Sequence, residues 1–197
     1  FDVASTKVNN LKLPSVTAKQ QETQSTVRLR PLLENEIARK LVSVEDFQDR
    51  STVTILGDGL FESGSAQIQD QYYPVLARVS QALDSVEGQI VVTGYTDNQP
   101  IQSLNFPSNW HLSQARADAV KEILLNYIKN GGARIRSEGR GSTDPVAPND
   151  TLENRAKNRR VEITLFTTGT GPKLGSAVEV KTNTSTTQPS SDVSTHQ

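Results

Sequence analysis

Hydrophobic and polar residues alternate with two periods along the middle of the chain, and the period predicts the type of each element. Apolar residues three or four positions apart are typical of amphipathic helices, and alternate apolar positions are typical of strands with one buried face. The first period predicts a helix at 70–86 and a longer one at 109–129, and a short polar helix is predicted at 151–158. Apolar, β-prone segments predict four strands, at 52–56, 89–95, 133–138 and 159–166.

The segments outside this middle part follow other patterns. Residues 25–41 have apolar side chains at helical spacing, so 25–50 is predicted to be an amphipathic helix and a lead-in to the core domain at 51–166. Residues 1–24 are polar with scattered Val and Leu, which predicts a flexible linker. Residues 167–197 contain 13 Ser or Thr and no aromatic residue, which predicts a disordered tail because too little apolar surface is available to offset the entropy of ordering.

The order of the elements indicates the class of the fold. Strands alternate with helices from the first predicted strand to the last, with no internal repeat. Consecutive strands joined by helices favour right-handed crossovers and a single sheet covered by helices.

Composition and charge exclude several classes of function. The 197-residue chain has a formal net charge of −1, which gives no bulk attraction to nucleic acid or to anionic membranes. It has no cysteine, and its two histidines exclude a multi-histidine metal site within the domain, so neither a metal nor a cofactor is predicted. No apolar run is long enough to span a membrane. Because the chain begins at Phe1 and lacks methionine, we expect a piece of a longer protein with an anchor upstream.

Candidate chemistry is centred on Asp97, which follows the strand at 89–95. Many α/β folds bind a ligand at such a strand end. Arg116 borders the apolar stripe near the start of the next helix, so its guanidinium needs a partner, and Asp97 is the nearest candidate acid along the chain. Two interpretations stay open. One is a structural Asp–Arg pair, and the other is an amphoteric cleft beside a helix N-terminus, which would bind a ligand that carries both an ammonium and a carboxylate.

Three segments in order carry a resemblance to a known family. They are GYTDNQP, SNWHLSQARADAV and EGRGSTDPVAPNDTLENRAKNRRVEI, and together they resemble the OmpA/MotB-like peptidoglycan-binding domain over 52–166. The upstream segment GDGLFESGSA and the helix before it resemble the periplasmic part of TssL, the membrane-anchored component of type VI secretion systems. The resemblance implies an α+β fold of the OmpA-like βαβαβ type, with a mixed parallel and antiparallel four-stranded sheet and helices packed mainly on one face.

The resemblance also implies a binding site. In that family the aspartate of the Thr-Asp pair and the arginine of the Arg-Ala pair bind the diaminopimelate of the peptide stem, and here these residues are Asp97 and Arg116. The other ligand-binding residues that it implies, some acting through their backbone, are Asn109, Leu112, Ser113, Thr96 and Arg159.

The implied function is non-enzymatic. It is the non-covalent binding of peptidoglycan, which would anchor a membrane-bound type VI secretion component to the cell wall in the periplasm of a Gram-negative bacterium. The implied partners are peptidoglycan and other components of the secretion membrane complex. A homodimer stays open, and nucleic acid is not an expected partner. The alternative is a scaffold for protein assembly that keeps the fold without binding the cell wall.

Other chemistry finds less support in the sequence. Hydrolysis with His111 as the base would need a nucleophile, and no nucleophile-elbow pattern surrounds Ser113. The glycines of 139–150 precede no lysine, so a phosphate-binding loop is not indicated. The basic run at 155–160 is short and without aromatic residues, which argues against nucleic-acid binding.

Overall fold

Five strands form one mixed sheet, in the order β1-β2-β5-β3-β4, in the computed structural model, which describes residues 28–101 and 103–166. Strands β3 and β4 are parallel, and all other neighbours are antiparallel. The mixed sheet confirms the predicted α+β class, but the predicted number of four strands is wrong, because an additional N-terminal strand pairs with β2. The strands are β1 (Ser43–Asp46), β2 (Arg50–Leu56), β3 (Gln89–Tyr95), β4 (Ile135–Gly139) and β5 (Arg160–Phe166).

Two helices of more than ten residues cover the sheet in this described part of the chain, and shorter helices connect the strands. A 3₁₀ turn at Asp70–Tyr72 leads directly into the first long helix, as predicted for 70–86. The second long helix ends at Leu125, earlier than the predicted 129, and tighter turns lead on to Asn130, which has a positive φ of 54°. The helices are α1 (Glu34–Ala38), α2 (Gly57–Leu60), α3 (Tyr73–Asp84), α4 (Asn109–Leu125), α5 (Gly131–Arg134) and α6 (Leu152–Asn158).

The predicted amphipathic helix at 25–41 is wrong in its length. The structure has a 3₁₀ turn at Arg30–Leu32 and then only the five residues of α1. Leu29 and Leu33 are fully buried, so the apolar spacing does report burial. The helix ends because the chain reverses at Lys40, whose φ is 58°, and because the next residues pair with β2 as a strand.

The hydrophobic core lies between the sheet and the two long helices. Alternate residues of β2 and β5 are buried, and the residues between them, such as Thr52, Thr54 and Thr164, are only partly buried. This alternation fits the expectation that helices pack mainly on one face of the sheet. Fully buried core residues from both layers include Val53, Ile55, Ile163, Leu76, Leu83, Val120 and Leu124.

The sheet register brings two strand ends to one point. Strand β5 lies between β2 and β3 and is antiparallel to both, so β2 and β3 run in the same direction. Their last residues, Leu56 and Tyr95, both pair with Arg160, the first residue of β5. The residues that follow β2 and β3 therefore flank the residue that precedes β5, and this geometry determines which side chains meet at the site.

Two further predictions concern the ends of the chain. The predicted linker at 1–24 and the predicted tail at 167–197 lie outside the described residues. Among the helices of 28–101 and 103–166, none combines the length and the apolar character that crossing a membrane requires.

Candidate ligand-binding site

A cavity of about 400 Å³ opens at the C-terminal end of β2, beside the residue that precedes β5. Its wall combines α2 and the turn that follows it with one arginine from α4 and one from the junction of α6 and β5. We call it the charged cavity. The residues that line it are Gly57, Asp58, Phe61, Ser63, Gly64, Arg116 and Arg159.

Arg159 links two carboxylates at this cavity. Its Nε and Nη2 donate to the two carboxylate oxygens of Asp58, each at 2.8 Å, and its Nη1 donates to Oδ2 of Asp97 at 2.5 Å. The hydrogen bonds to Asp58, followed by those to Asp97, hold the pKa of Arg159 above its usual value despite partial burial. The same two hydrogen bonds from Arg159 lower the pKa of Asp58. The three side chains form a continuous line of alternating charge.

Arg116 lies deeper in the wall and is bonded differently. Only 6% of the residue is exposed, its Nε donates to the backbone carbonyl of Ser65 at 2.8 Å, and its guanidinium lies 4.8 Å from the centre of the Phe61 ring. Burial lowers its pKa, and the negative charges of Asp58 and Asp97 oppose that effect. Within the part of the chain that the structure describes, its Nη1 and Nη2 donate no hydrogen bond. These nitrogens are therefore available to an anionic group in the cavity.

Asp97 is held by two different contacts. Its Oδ1 accepts a hydrogen bond from the backbone N–H of Gln99 at 3.0 Å, and its Oδ2 accepts from Arg159. The direct Asp97–Arg116 pair expected from the order of the chain is wrong, because β5 brings Arg159 to the end of β3 instead. Arg116 still lies close enough for the charge of Asp97 to favour its protonated form.

The other predicted site residues fall into two groups. Asn109 and Thr96 fix the turn around Asp97: Nδ2 of Asn109 donates to the carbonyl of Gln99 at 2.8 Å, and Oγ1 of Thr96 donates to the carbonyl of Asp97 at 2.9 Å. Leu112 and Ser113 are buried in α4 and do not line the cavity. A direct contact of these four residues with a ligand stays a prediction.

Ser113 has a packing contact that explains a glycine in the sequence. Its Oγ donates to the carbonyl of Trp110 at 2.9 Å and accepts from the backbone N–H of Gly141 at 2.9 Å. A Cβ built on Gly94 would lie 2.1 Å from the backbone oxygen of Ser113, so β3 and α4 can approach this closely only at a glycine. Because Ser113 is fully buried and its hydroxyl is bonded, it is not placed to act as a nucleophile beside His111.

Asp58 is a site residue that the sequence analysis missed. It follows β2 by two residues, just as Asp97 follows β3 by two residues. The signal that identified Asp97, an acid beyond a strand end, was therefore present at Asp58 as well. What the sequence did not show is that β2 and β3 end on the same residue of β5, which brings the two acids to one arginine.

The profile of the OmpA family matches residues 60–159. The chain belongs to the OmpA family. The match includes Asp97, Arg116 and Arg159 and ends just before β5. It confirms the resemblance that the three ordered segments indicated.

Similar proteins of known name extend this finding. Motility protein B of Bacillus subtilis is 35% identical over 138 residues, which are 70% of this chain and 51% of that protein. Peptidoglycan-binding protein ArfA of Mycobacterium bovis is 36% identical over 121 residues, which are 60% of this chain and 35% of that protein. The chain thus spans about half the length of the first of these relatives and less of the second.

One solved structure is similar to this chain in both sequence and fold. The cell wall anchor of the T6SS from Pseudomonas aeruginosa is 50% identical to this chain, with a TM-score of 0.67. The match covers 71% of this chain and 97% of that structure. At this identity the likeness concerns the sequence as well as the fold.

Proposed function

We propose that this chain binds peptidoglycan non-covalently through an amino-acid end group of the stem peptide, with diaminopimelate as the ligand. By this binding it anchors a membrane-bound type VI secretion component to the cell wall, in the periplasm of a Gram-negative bacterium. No catalytic step is part of the proposal. Other components of the secretion membrane complex are the proposed protein partners.

The observation that carries the proposal concerns the two terminal nitrogens of the Arg116 guanidinium group, which together form a fork of hydrogen-bond donors. Nη1 and Nη2 of this buried arginine have no protein acceptor in the described residues, and the side chain lines the charged cavity. A carboxylate can accept two parallel hydrogen bonds from such a fork, which is the strongest geometry for that pair. Arg159, the other cation of the wall, is already bonded to two carboxylates.

The acidic side of the cavity suits an ammonium group. Each carboxylate oxygen of Asp97 accepts one protein hydrogen bond, and a carboxylate has about four acceptor positions. Asp97 can therefore accept a further hydrogen bond from a ligand ammonium while Arg159 stays in place. An α-amino acid end group carries both charges close together, and Arg116 in the cavity wall and Asp97 beside the cavity offer a receptor for each.

The relatives support the biological setting of this proposal. One is named as a peptidoglycan-binding protein, and the solved structure at 50% identity is the cell wall anchor of a type VI secretion system. Peptidoglycan of Gram-negative bacteria lies in the periplasm, so a cell wall anchor works in that compartment.

The test is co-sedimentation with purified peptidoglycan sacculi. The parent protein should sediment with sacculi, and Asp97→Ala and Arg116→Ala should stay in the supernatant. Glu122→Gln is the matched control, because Glu122 is exposed on α4 and lies about 9 Å further along the helix axis than Arg116. Circular dichroism should show all variants to be folded. If the folded parent does not sediment with sacculi, the scaffold interpretation is supported and the proposed function is wrong.

A further inference from the structure

Asp58 is exposed to solvent although it is in an ion pair. Both of its carboxylate oxygens bond to Arg159, yet 57% of its side chain is exposed and it lines the charged cavity. The Asp97 side chain, on the other arm of the same arginine, is only 11% exposed. A solvent-exposed ion pair contributes little to stability. The position of Asp58 therefore calls for an explanation beyond folding.

Arg159 donates three side-chain hydrogen bonds, and two of them go to Asp58. Its Nε and Nη2 are directed at Asp58, and its Nη1 at Asp97. Without the carboxylate of Asp58, the Nε–Nη2 edge would face the cavity as a second planar fork for an anion. Arg116 already supplies one such fork. Asp58 thus decides whether the cavity has one anion receptor or two.

The charge balance leads to the same conclusion. Two guanidinium groups, Arg116 and Arg159, and the carboxylate of Asp58 line the cavity, and the carboxylate of Asp97, which is bonded to Arg159, lies beside it. These charges cancel, which suits a ligand end with no net charge. Removal of Asp58 would leave an excess of one positive charge and would favour a plain carboxylate. Selectivity is a difference between two affinities, and a group that disfavours the wrong ligand contributes to it directly.

We propose that Asp58 is a specificity-determining residue, which occupies the second arginine of the cavity and so makes it select zwitterionic amino-acid ends over plain carboxylates. This inference rests on the proposed function, because it concerns the ligand of the same site. It adds a residue and a mechanism of discrimination: Arg116 binds the carboxylate of the ligand, and Asp58 prevents Arg159 from binding another one.

The experiment compares two ligands of equal length. Meso-diaminopimelate has two amino-acid ends, and pimelate has the same seven carbons and two carboxylates but no amines. Both are titrated by NMR into the parent protein, into Asp58→Asn and into Glu122→Gln as the charge-matched control. The parent and the control should bind diaminopimelate more tightly than pimelate, by more than about tenfold. In Asp58→Asn the ratio of the two affinities should fall by about tenfold or more, which is roughly 1.4 kcal/mol.

Asp58→Glu provides a second, conservative variant. It restores the carboxylate one methylene further out and should recover preference for diaminopimelate at least in part. Equal ligand preference in the parent and in Asp58→Asn would overturn this inference and leave the proposed function intact. If the parent binds neither diaminopimelate nor sacculi, the proposed function fails and this inference fails with it.

Discussion

Nη1 of Arg159 lies 2.5 Å from Oδ2 of Asp97, although 62 residues separate the two along the chain. Asp97 follows β3, and Arg159 precedes β5, the strand that pairs with β3 from its first residue. The ion pair is therefore a consequence of strand register. Asp97 is thus bonded to Arg159, while Arg116, which lines the charged cavity, donates through its Nε to the carbonyl of Ser65.

The ligand chemistry gives the first prediction. Free meso-diaminopimelate should bind weakly, with a Kd on the order of 0.1–1 mM, because a small polar ligand retains little free energy after the costs of association. NMR titration should show shifts centred on 96–98 and 112–116 and on the α2 segment that carries Asp58. Shifts centred elsewhere on the domain would contradict the location of the site.

The second prediction separates binding from stability at the two central residues. Arg116→Ala removes a buried side chain that packs on Phe61 and bonds to the carbonyl of Ser65, so it should abolish binding and destabilise by about 1–3 kcal/mol. Asp97→Asn can still accept from the N–H of Gln99, so it should lose binding with a smaller loss of stability. Thermal unfolding and sacculus sedimentation measure the two effects. Parent-like sedimentation by both variants would contradict the functional role of these residues.

The sequence predicted most elements of the fold, and the reasons for its failures are specific. The strand at 89–95 has the predicted bounds, because a continuous apolar run between turn signals is a local property. Strand β1 was missed because its four residues, Ser-Val-Glu-Asp, contain one apolar side chain and gain their conformation by pairing with β2. Local periodicity carries no information about such pairing.

The candidate site could be predicted only as a set of residues. The motifs identified Asp97, Arg116 and Arg159, which the structure brings together at one cavity wall or beside it. The pairing among them depends on a sheet order in which the last strand is inserted between β2 and β3. Nothing in the spacing of a single sequence reports that insertion, and so both the partner of Asp97 and the role of Asp58 became evident only in three dimensions.

The third prediction concerns the close approach of β3 and α4. Gly94→Ala should destabilise the domain by about 3 kcal/mol or more, since the added Cβ would lie 2.1 Å from a backbone oxygen that cannot rotate away. Gly132→Ala is the control, because a Cβ there meets nothing within 4 Å. Thermal unfolding should show a large loss for the first variant and little change for the second. Equal melting temperatures would show that β3 and α4 separate easily at this point.

The fourth prediction is a dependence on pH. Arg159 holds the pKa of Asp58 below its ordinary value of 3.8. A carboxyl with a lowered folded-state pKa adds stability above its unfolded-state pKa, and that stability is lost as the pH falls through the folded-state value. The difference in melting temperature between the parent and Asp58→Asn should be constant above about pH 5 and should shrink below about pH 4. The corresponding difference in the free energy of unfolding should be small, below about 1 kcal/mol, because Asp58 is exposed. A difference that grows towards acid pH would contradict this assignment.

The last prediction defines the C-terminal boundary of the domain. Strand β5 ends at Phe166 and pairs along its whole length with β2 on one side and with β3 on the other, and its Val161, Ile163 and Leu165 are buried in the core. Deletion of 160–197 removes β5, which alone joins β2 to β3 in the sheet, and should therefore abolish folding.

Deletion of 169–197 removes only a segment whose composition predicts no core, so both the melting temperature and sacculus binding should stay at the parent values. Circular dichroism and sedimentation of the two truncated proteins provide the comparison. A folded protein that ends before Arg160 would contradict the central role of β5, and a loss of binding on removal of 169–197 would show that the tail contributes to the site.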